Sequence, residues 1–242
     1  MARTIKEEDY TQKRNEILDA AYRLVITKGY QQMTIQDVIL ALGISKGAFY
    51  HYFDSKQSLL AGMIERIREI SQAALAPILE NPQMTAVEKI QAYFTSAQRW
   101  KSGQKEYMLQ ILKVWYDDDN AVVRQKVYAT TAKYFAAELG KVIRQGVEEG
   151  SFTTPYPDQS ASMMISLLTA WGDEFAQALF EQQAHGTALP ENVTGANLET
   201  TLAAYNHAVE QVLGAKPGTL QLIDIETLRE WIEHPAETGI TR

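Results

Sequence analysis

Residues 34–60 read Thr34-Ile-Gln-Asp-Val-Ile-Leu-Ala-Leu-Gly-Ile-Ser-Lys-Gly-Ala-Phe-Tyr-His-Tyr-Phe-Asp-Ser-Lys-Gln-Ser-Leu-Leu60. Thr34 followed three residues later by Asp37 resembles a capping box, with the acid in place of the usual Glu, and predicts a short helix through Leu42. Gly43 comes at once. Glycine takes a positive φ without steric penalty, so Gly43 predicts the sharp turn between two short helices. Ser45 caps the second of them, which carries Lys46-Gly-Ala-Phe-Tyr-His-Tyr52, and Asp54 and Ser55 start a longer helix with Leu59, Leu60, Met63, Ile64 and Ile67 on its apolar stripe.

Outward from this stretch the helical period persists and no run alternates with period two, so the whole chain reads as all-α. A helix is expected from about Thr11 to Lys28, with Ile17, Leu18, Ala21, Leu24 and Val25 on one face and Gly29 as its C-terminal stop. Beyond Pro77 the pattern gives longer helices. Thr85 and Glu88 form a second capping box, opening a helix to about Lys101. Another runs from Gly103 to Tyr116, and the acidic Asp117–Asp119 suits the start of a helix reaching Glu149. A strongly apolar helix follows from Pro157 to about Gln183, then one ending near Gly214 and a short one from Asp224 to Glu233.

The composition is that of an ordinary globular protein: 242 residues, 45% apolar, 22% charged and no cysteine. The absence of cysteine excludes disulfides and thiolate chemistry, and the polar N-terminus and lack of a long apolar run predict a cytoplasmic chain with no membrane span. The net charge of −7 is unevenly spread. Residues 1–56 hold eight basic against seven acidic side chains, and residues 57–242 hold fifteen against twenty-three. Phosphate contacts act over only about 8 Å at physiological salt, so an acidic body does not forbid a local nucleic-acid contact near the N-terminus.

The stretch from Thr34 to Leu60 resembles the N-terminal signature of the TetR family of bacterial regulators. The resemblance rests on the Thr that opens the second helix, the Gly-Ile-Ser turn, Gly47, the Phe-Tyr-His-Tyr-Phe block and Ser-Lys before Leu59. It covers about residues 11–65 and departs at Ile39 and Leu42, where a small residue is commoner. It implies a three-helix helix-turn-helix domain that binds double-stranded DNA, followed by a larger helical bundle that dimerises and takes a small-molecule effector. A transcriptional repressor acting as a homodimer on a palindromic operator is the expected function. By the same resemblance Gln36 faces the DNA groove.

Elementary chemistry assigns roles along the reading helix. Ile44, Phe49 and Phe53 anchor it, because four adjacent aromatics from Tyr50 to Phe53 cannot share one helix face. Ser45, Lys46, Gly47, Ala48, Tyr50, His51 and Tyr52 remain for DNA. Gly47 and Ala48 allow close approach to the duplex, Lys46 suits guanine acceptors, and Tyr50 and Tyr52 suit phosphates. Thr34 and Lys56, each at a helix start, are expected to clamp the DNA backbone.

Gly43-Ile-Ser45-Lys-Gly47 also fits the G-x-S-x-G pattern of a hydrolase nucleophile elbow, which requires a strand before the serine. Here a helix precedes it, and no enzyme is expected. His51, His185, His207 and His234 show no i, i+4 pairing, so neither a metal nor another cofactor is predicted.

The division read from sequence places the DNA-binding domain at 1–56, the helical ligand-binding and dimerisation domain at 57–234 and a flexible tail at 235–242. Residues 66–242 hold sixteen of the twenty-three aromatics. Tyr93, Trp100, Tyr107, Met108, Trp115, Tyr128, Tyr134 and Trp171 are the candidate effector-pocket residues, each equally readable as plain core. The helices 157–183 and 195–214 are expected at the dimer interface, with Met164, Leu167, Leu168, Trp171, Phe175 and Leu179 as its seam. The alternative is a C-terminal domain that docks a protein partner instead of a small ligand.

Overall fold

The structure, a computed structural model, describes residues 2–103, 105, 108, 109, 112 and 115–233. Its helices are α1 (Ala2–Lys28), α2 (Ile35–Leu42), α3 (Lys46–Tyr50), α4 (Lys56–Leu79), α5 (Ala86–Ser102), α6 (Ala121–Glu148), α7 (Pro157–His185), α8 (Gly195–Leu213) and α9 (Ile225–Glu233). Residues 105, 108, 109, 112 and 115 are also helical, and no strand occurs among the described residues. The fold is all-α, as the periodicity predicts.

Several ends differ from the sequence reading. α1 begins at Ala2 rather than near Thr11. α4 continues through Pro77 to Leu79, because a proline this near the end interrupts only the last turn, and Glu80 N–H still closes on Ala76 O at 2.9 Å. The acidic run forms a 3-10 turn, Asp118–Asn120, capped by Asp117, and α6 starts after it. α7 reaches His185 and stops at Gly186, whose φ is +67°.

Packing divides the chain into two compact units, Met1–Ile70 with Val114–Thr130, and Ser71–Lys113 with Thr131–Arg242. Neither is one continuous length of chain, and residue 56 falls inside the first. In that first unit the amphipathic face of α1 buries Ile17, Leu18, Ala21 and Val25 against Val38 and Ile39 of α2, Phe49 of α3, Phe53, and Leu59, Leu60, Met63 and Ile64 of α4. Val123 and Val127, from the first turns of α6, close this core. Arg66 fastens α4 to α1, donating to Asn15 O at 2.9 Å and pairing with Asp19 at 3.1 Å.

The second unit is built on Ile90 and Tyr93 of α5, Leu139, Val142 and Ile143 of α6, Ala161, Met164 and Ile165 of α7, and Val209 and Leu213 of α8. Phe152, in the α6–α7 loop, fills its centre. The stripe expected as a dimer seam is instead spent inside the chain. Met164, Trp171, Phe175 and Leu179 are buried within the chain's own unit, at 0%, 5%, 7% and 4% exposure, and Leu167 and Leu168 pack on the same core. An amphipathic helix turns its richest stripe first toward its own domain. The exposed face of α7 instead carries Ser162, Met163, Ser166 and Ala170.

Candidate nucleic-acid interface

The first capping box forms as read. Thr34 lies in extended backbone, the Asp37 N–H donates to Thr34 Oγ1 at 3.1 Å, and Thr34 N–H and Oγ1 both donate to Asp37 Oδ2 at 2.7 Å. Lys28 Nζ joins the same carboxylate oxygen at 2.7 Å. The Lys28 ammonium and the Thr34 donors hold the Asp37 carboxyl down, from an ordinary 3.8 to about 2. The Thr34 hydroxyl is thus engaged within the cap.

At the other end of α2, Gly43 adopts φ +62° and its N–H bonds back to Leu40 O. This left-handed residue turns the chain sharply enough for Ile44 N–H to reach Ile39 O at 3.2 Å. Ser45 Oγ then accepts the Ala48 N–H at 3.1 Å and caps α3. A helix precedes Ser45 and its oxygen is bound as a cap, so the geometry is not that of a strand-borne nucleophile elbow.

α3 is anchored on one side and free on the other. Phe49 is fully buried and Phe53 4% exposed, their rings 6.1 Å apart. Ile44, Ile39 and Leu42 turn toward the same core. Lys46, Gly47, Tyr50 and His51 are exposed, and Ala48 is half-buried. The Lys46 ammonium lies 5.9 Å from the centre of the Tyr50 ring, and Tyr50 is 44% exposed. Gln36 is exposed on α2. These exposed side chains are of the polar, small and aromatic types that a duplex reader uses.

Two members of the predicted set are placed differently. Tyr52 is half-buried, its ring 4.8 Å from that of Tyr10 on α1, with His51 edge-on to both rings. Lys56 turns toward the α1–α2 loop, donating to Gln31 O at 3.2 Å and lying 4.4 Å from the centre of the Tyr30 ring. Burial lowers its pKa. Sequence reasoning passed over Leu40, which is 69% exposed on α2 one turn beyond Gln36.

The described effector candidates are divided between the two units. Tyr93 is 7% exposed in the second unit, edge-on to Phe94 and Phe135, and Phe135 in turn packs on Tyr134. Burial, and then Tyr134, raise the Tyr93 pKa. Trp171 stacks on Phe175 at 5.4 Å and leans on Tyr205 of α8. Trp115 and Tyr128 belong to the first unit, where the indole Nε1 donates to the phenol oxygen at 3.2 Å. Met108 is half-buried. Tyr107 and the Trp100 side chain lie outside the described residues.

Comparison with known proteins matches both halves. A family model described as bacterial regulatory proteins, tetR family, matches residues 17–63, and one described as tetracyclin repressor-like, C-terminal domain, matches 108–185. The HTH-type transcriptional repressor DhaR of Mycobacterium sp. (strain GP1) is 24% identical over 157 residues, covering 64% of this chain and 78% of DhaR. A TetR-family transcriptional regulator from Pectobacterium atrosepticum superposes with a TM-score of 0.55 at 18% identity, covering 87% of this chain and 98% of that one. The structure of a SmeT–triclosan complex gives 0.54 at 16% identity, covering 87% and 97%. No described helix is long and apolar enough to cross a membrane. With the helix-turn-helix built at the matched residues and both family models in their proper order, the chain belongs to the TetR family of DNA-binding transcriptional regulators.

Proposed function

We propose that this protein is a cytoplasmic repressor that binds a palindromic operator as a homodimer and leaves it when a small effector binds. The observation that carries the DNA half is Gly47. It sits inside α3 without positive φ, and a Cβ there would meet only Ser45 Oγ, at 3.9 Å. Glycine within a helix costs about 0.5–1 kcal/mol relative to alanine, and nothing within the fold requires it here. An approaching duplex does.

In this reading α3 enters the major groove. Lys46 contacts guanine acceptors, Ala48 touches a thymine methyl, and Tyr50 holds a phosphate through its hydroxyl. His51 and Gln36 add edge contacts. Tyr52 contributes through its packing on Tyr10. Thr34, Ser45 and Lys56 set the helix starts that flank the phosphates. A two-fold dimer places two such helices about 34 Å apart, which matches a palindrome. The outer faces of α7 and α8 are our choice for the dimer contact. The reading surface lies within residues 1–56, inside the first unit, and the sensing and dimerising body is built on the second.

The effector half rests on Trp171. Its indole Nε1 is buried and has no hydrogen-bond partner among the described residues, which favours an effector that brings an acceptor to it. SmeT, of the same fold, is known as a complex with triclosan. Tyr93, Tyr134 and Met108 are further lining candidates in the same unit. An effector releases DNA only if it binds better to a conformer that mis-spaces the two reading helices.

Selection from a random-sequence duplex pool tests the reading. The purified protein is expected to enrich one palindrome, and Lys46→Ala with Tyr50→Ala to abolish its retention. Failure to enrich any sequence, or unchanged retention by the double variant, rejects it.

A further inference from the structure

The α1–α2 loop is held from two sides. Asn120 is 2% exposed, and its Oδ1 accepts the Tyr30 N–H at 2.6 Å across ninety residues of sequence. Asp119 adds its carbonyl to Gln31 N–H and its carboxylate to Gln32 Nε2, each at 3.3 Å. The approach is close: a Cβ on Gly29, whose φ is +79°, would stand 3.1 Å from that of Asp119. From the other side Lys56 Nζ binds Gln31 O and lies against the Tyr30 ring. The loop runs directly into Thr34. The starts of α2 and α4 therefore share one anchorage, the α1–α2 loop, and the 3-10 turn before α6 holds that loop in place.

We propose that Asn120 is a positioning residue for operator binding, fixing the α1–α2 loop, and through it Thr34 and Lys56, without touching DNA. The proposal rests on α2, α3 and the start of α4 being the surface that meets the duplex. Removing the Asn120 acceptor leaves the buried Tyr30 N–H unsatisfied, which is costlier than the loss of an exchangeable bond. The loop escapes that cost by moving, and the two helix starts move with it. Coupling of this kind is reciprocal. If the Asn120–Tyr30 bond favours the DNA-competent arrangement, DNA must strengthen the bond by the same factor.

The experiment uses the full chain and a duplex that the wild type has selected from a random-sequence pool. Asn120→Ala is expected to bind it about tenfold more weakly, the effect of one buried donor left unpaired. Asn120→Asp keeps the acceptor, and its charge suits the N-terminus of α6, so it is expected to bind within about threefold of wild type. In the wild type the duplex is expected to slow Tyr30 amide exchange several-fold more than that of Leu18 in the middle of α1. A folded Asn120→Ala protein binding within about twofold of wild type, or an Asn120→Asp protein as weak as Asn120→Ala, overturns the proposal. So does a Tyr30 amide slowed no more than Leu18, a result that needs no variant to fold. If the wild type selects no duplex at all, the operator reading falls, and this proposal with it. Wild-type selection beside an unaffected Asn120→Ala protein removes this proposal alone.

Discussion

Lys28 Nζ and Asp37 Oδ2 stand 2.7 Å apart, so the last residue of α1 is salt-bridged to the carboxylate that completes the capping box of α2. The folded-state pKa of Asp37 is depressed to about 2. A depressed carboxylate contributes stability that is present above its unfolded pKa and is lost as pH falls through the folded value. The Tm gap between wild type and Asp37→Ala should therefore be constant above about pH 5 and close between about pH 4 and 2. An equal gap at both ends of the range would show that the ionised carboxylate contributes nothing.

Gly47→Ala should separate folding from binding. Because the added methyl meets only ordinary contact, the variant is expected to be as stable as wild type or about 0.5–1 kcal/mol more stable. Its affinity for the selected duplex should fall by about tenfold, because the added methyl holds the helix off the base edges it reads. Urea unfolding and fluorescence anisotropy on the same preparation check the two halves. Undiminished affinity would remove the argument for close backbone approach.

Phe49 of α3 is fully buried in the first core, and truncating it leaves a cavity there. Phe49→Ala should destabilise the first unit by about 3–5 kcal/mol. Chemical denaturation followed by helical circular dichroism should show an earlier first transition. A loss under about 1 kcal/mol would mean that the site collapses without consequence.

Gly146 packs so closely on Phe152 that a Cβ would overlap the ring, and it would also stand 3.0 Å from Ala86 Cβ. Gly146→Ala should cost about 1–3 kcal/mol by overpacking, in spite of alanine's higher helix propensity. Phe152→Leu in the same chain should recover part of that loss, giving a double-mutant cycle whose terms do not add. Additive terms would place the strain elsewhere.

Local chemistry was legible in the sequence. Thr34 with Asp37, Thr85 with Glu88, Gly43 and Ser45 act within four residues of themselves, so the pattern contains the whole interaction. Phe49 and Phe53 were likewise readable as anchors, because helix geometry alone forbids a shared face. What resisted reading was long-range. Asp117–Asp119 reads as a helix start, but nothing near it in sequence announces that Asn120 binds Tyr30. Trp115 and Tyr128 look like pocket aromatics by type, yet they pair within the unit that carries the reading helix. The apolar stripe of α7 looks like a partner-facing seam until the fold shows how much of it α7 and its neighbours consume internally.

The first core takes Val123 and Val127 from a segment that follows Ile64 by more than fifty positions in the chain. The DNA reader is thus not a detachable cassette. A fragment ending at residue 70 would lack two of the side chains that close the first core, leaving apolar surface uncovered and the fragment prone to aggregate. Chimeras that graft this reader onto another regulator's sensor must bring residues 114–130 along. A single crossover point would splice two proteins and complete neither.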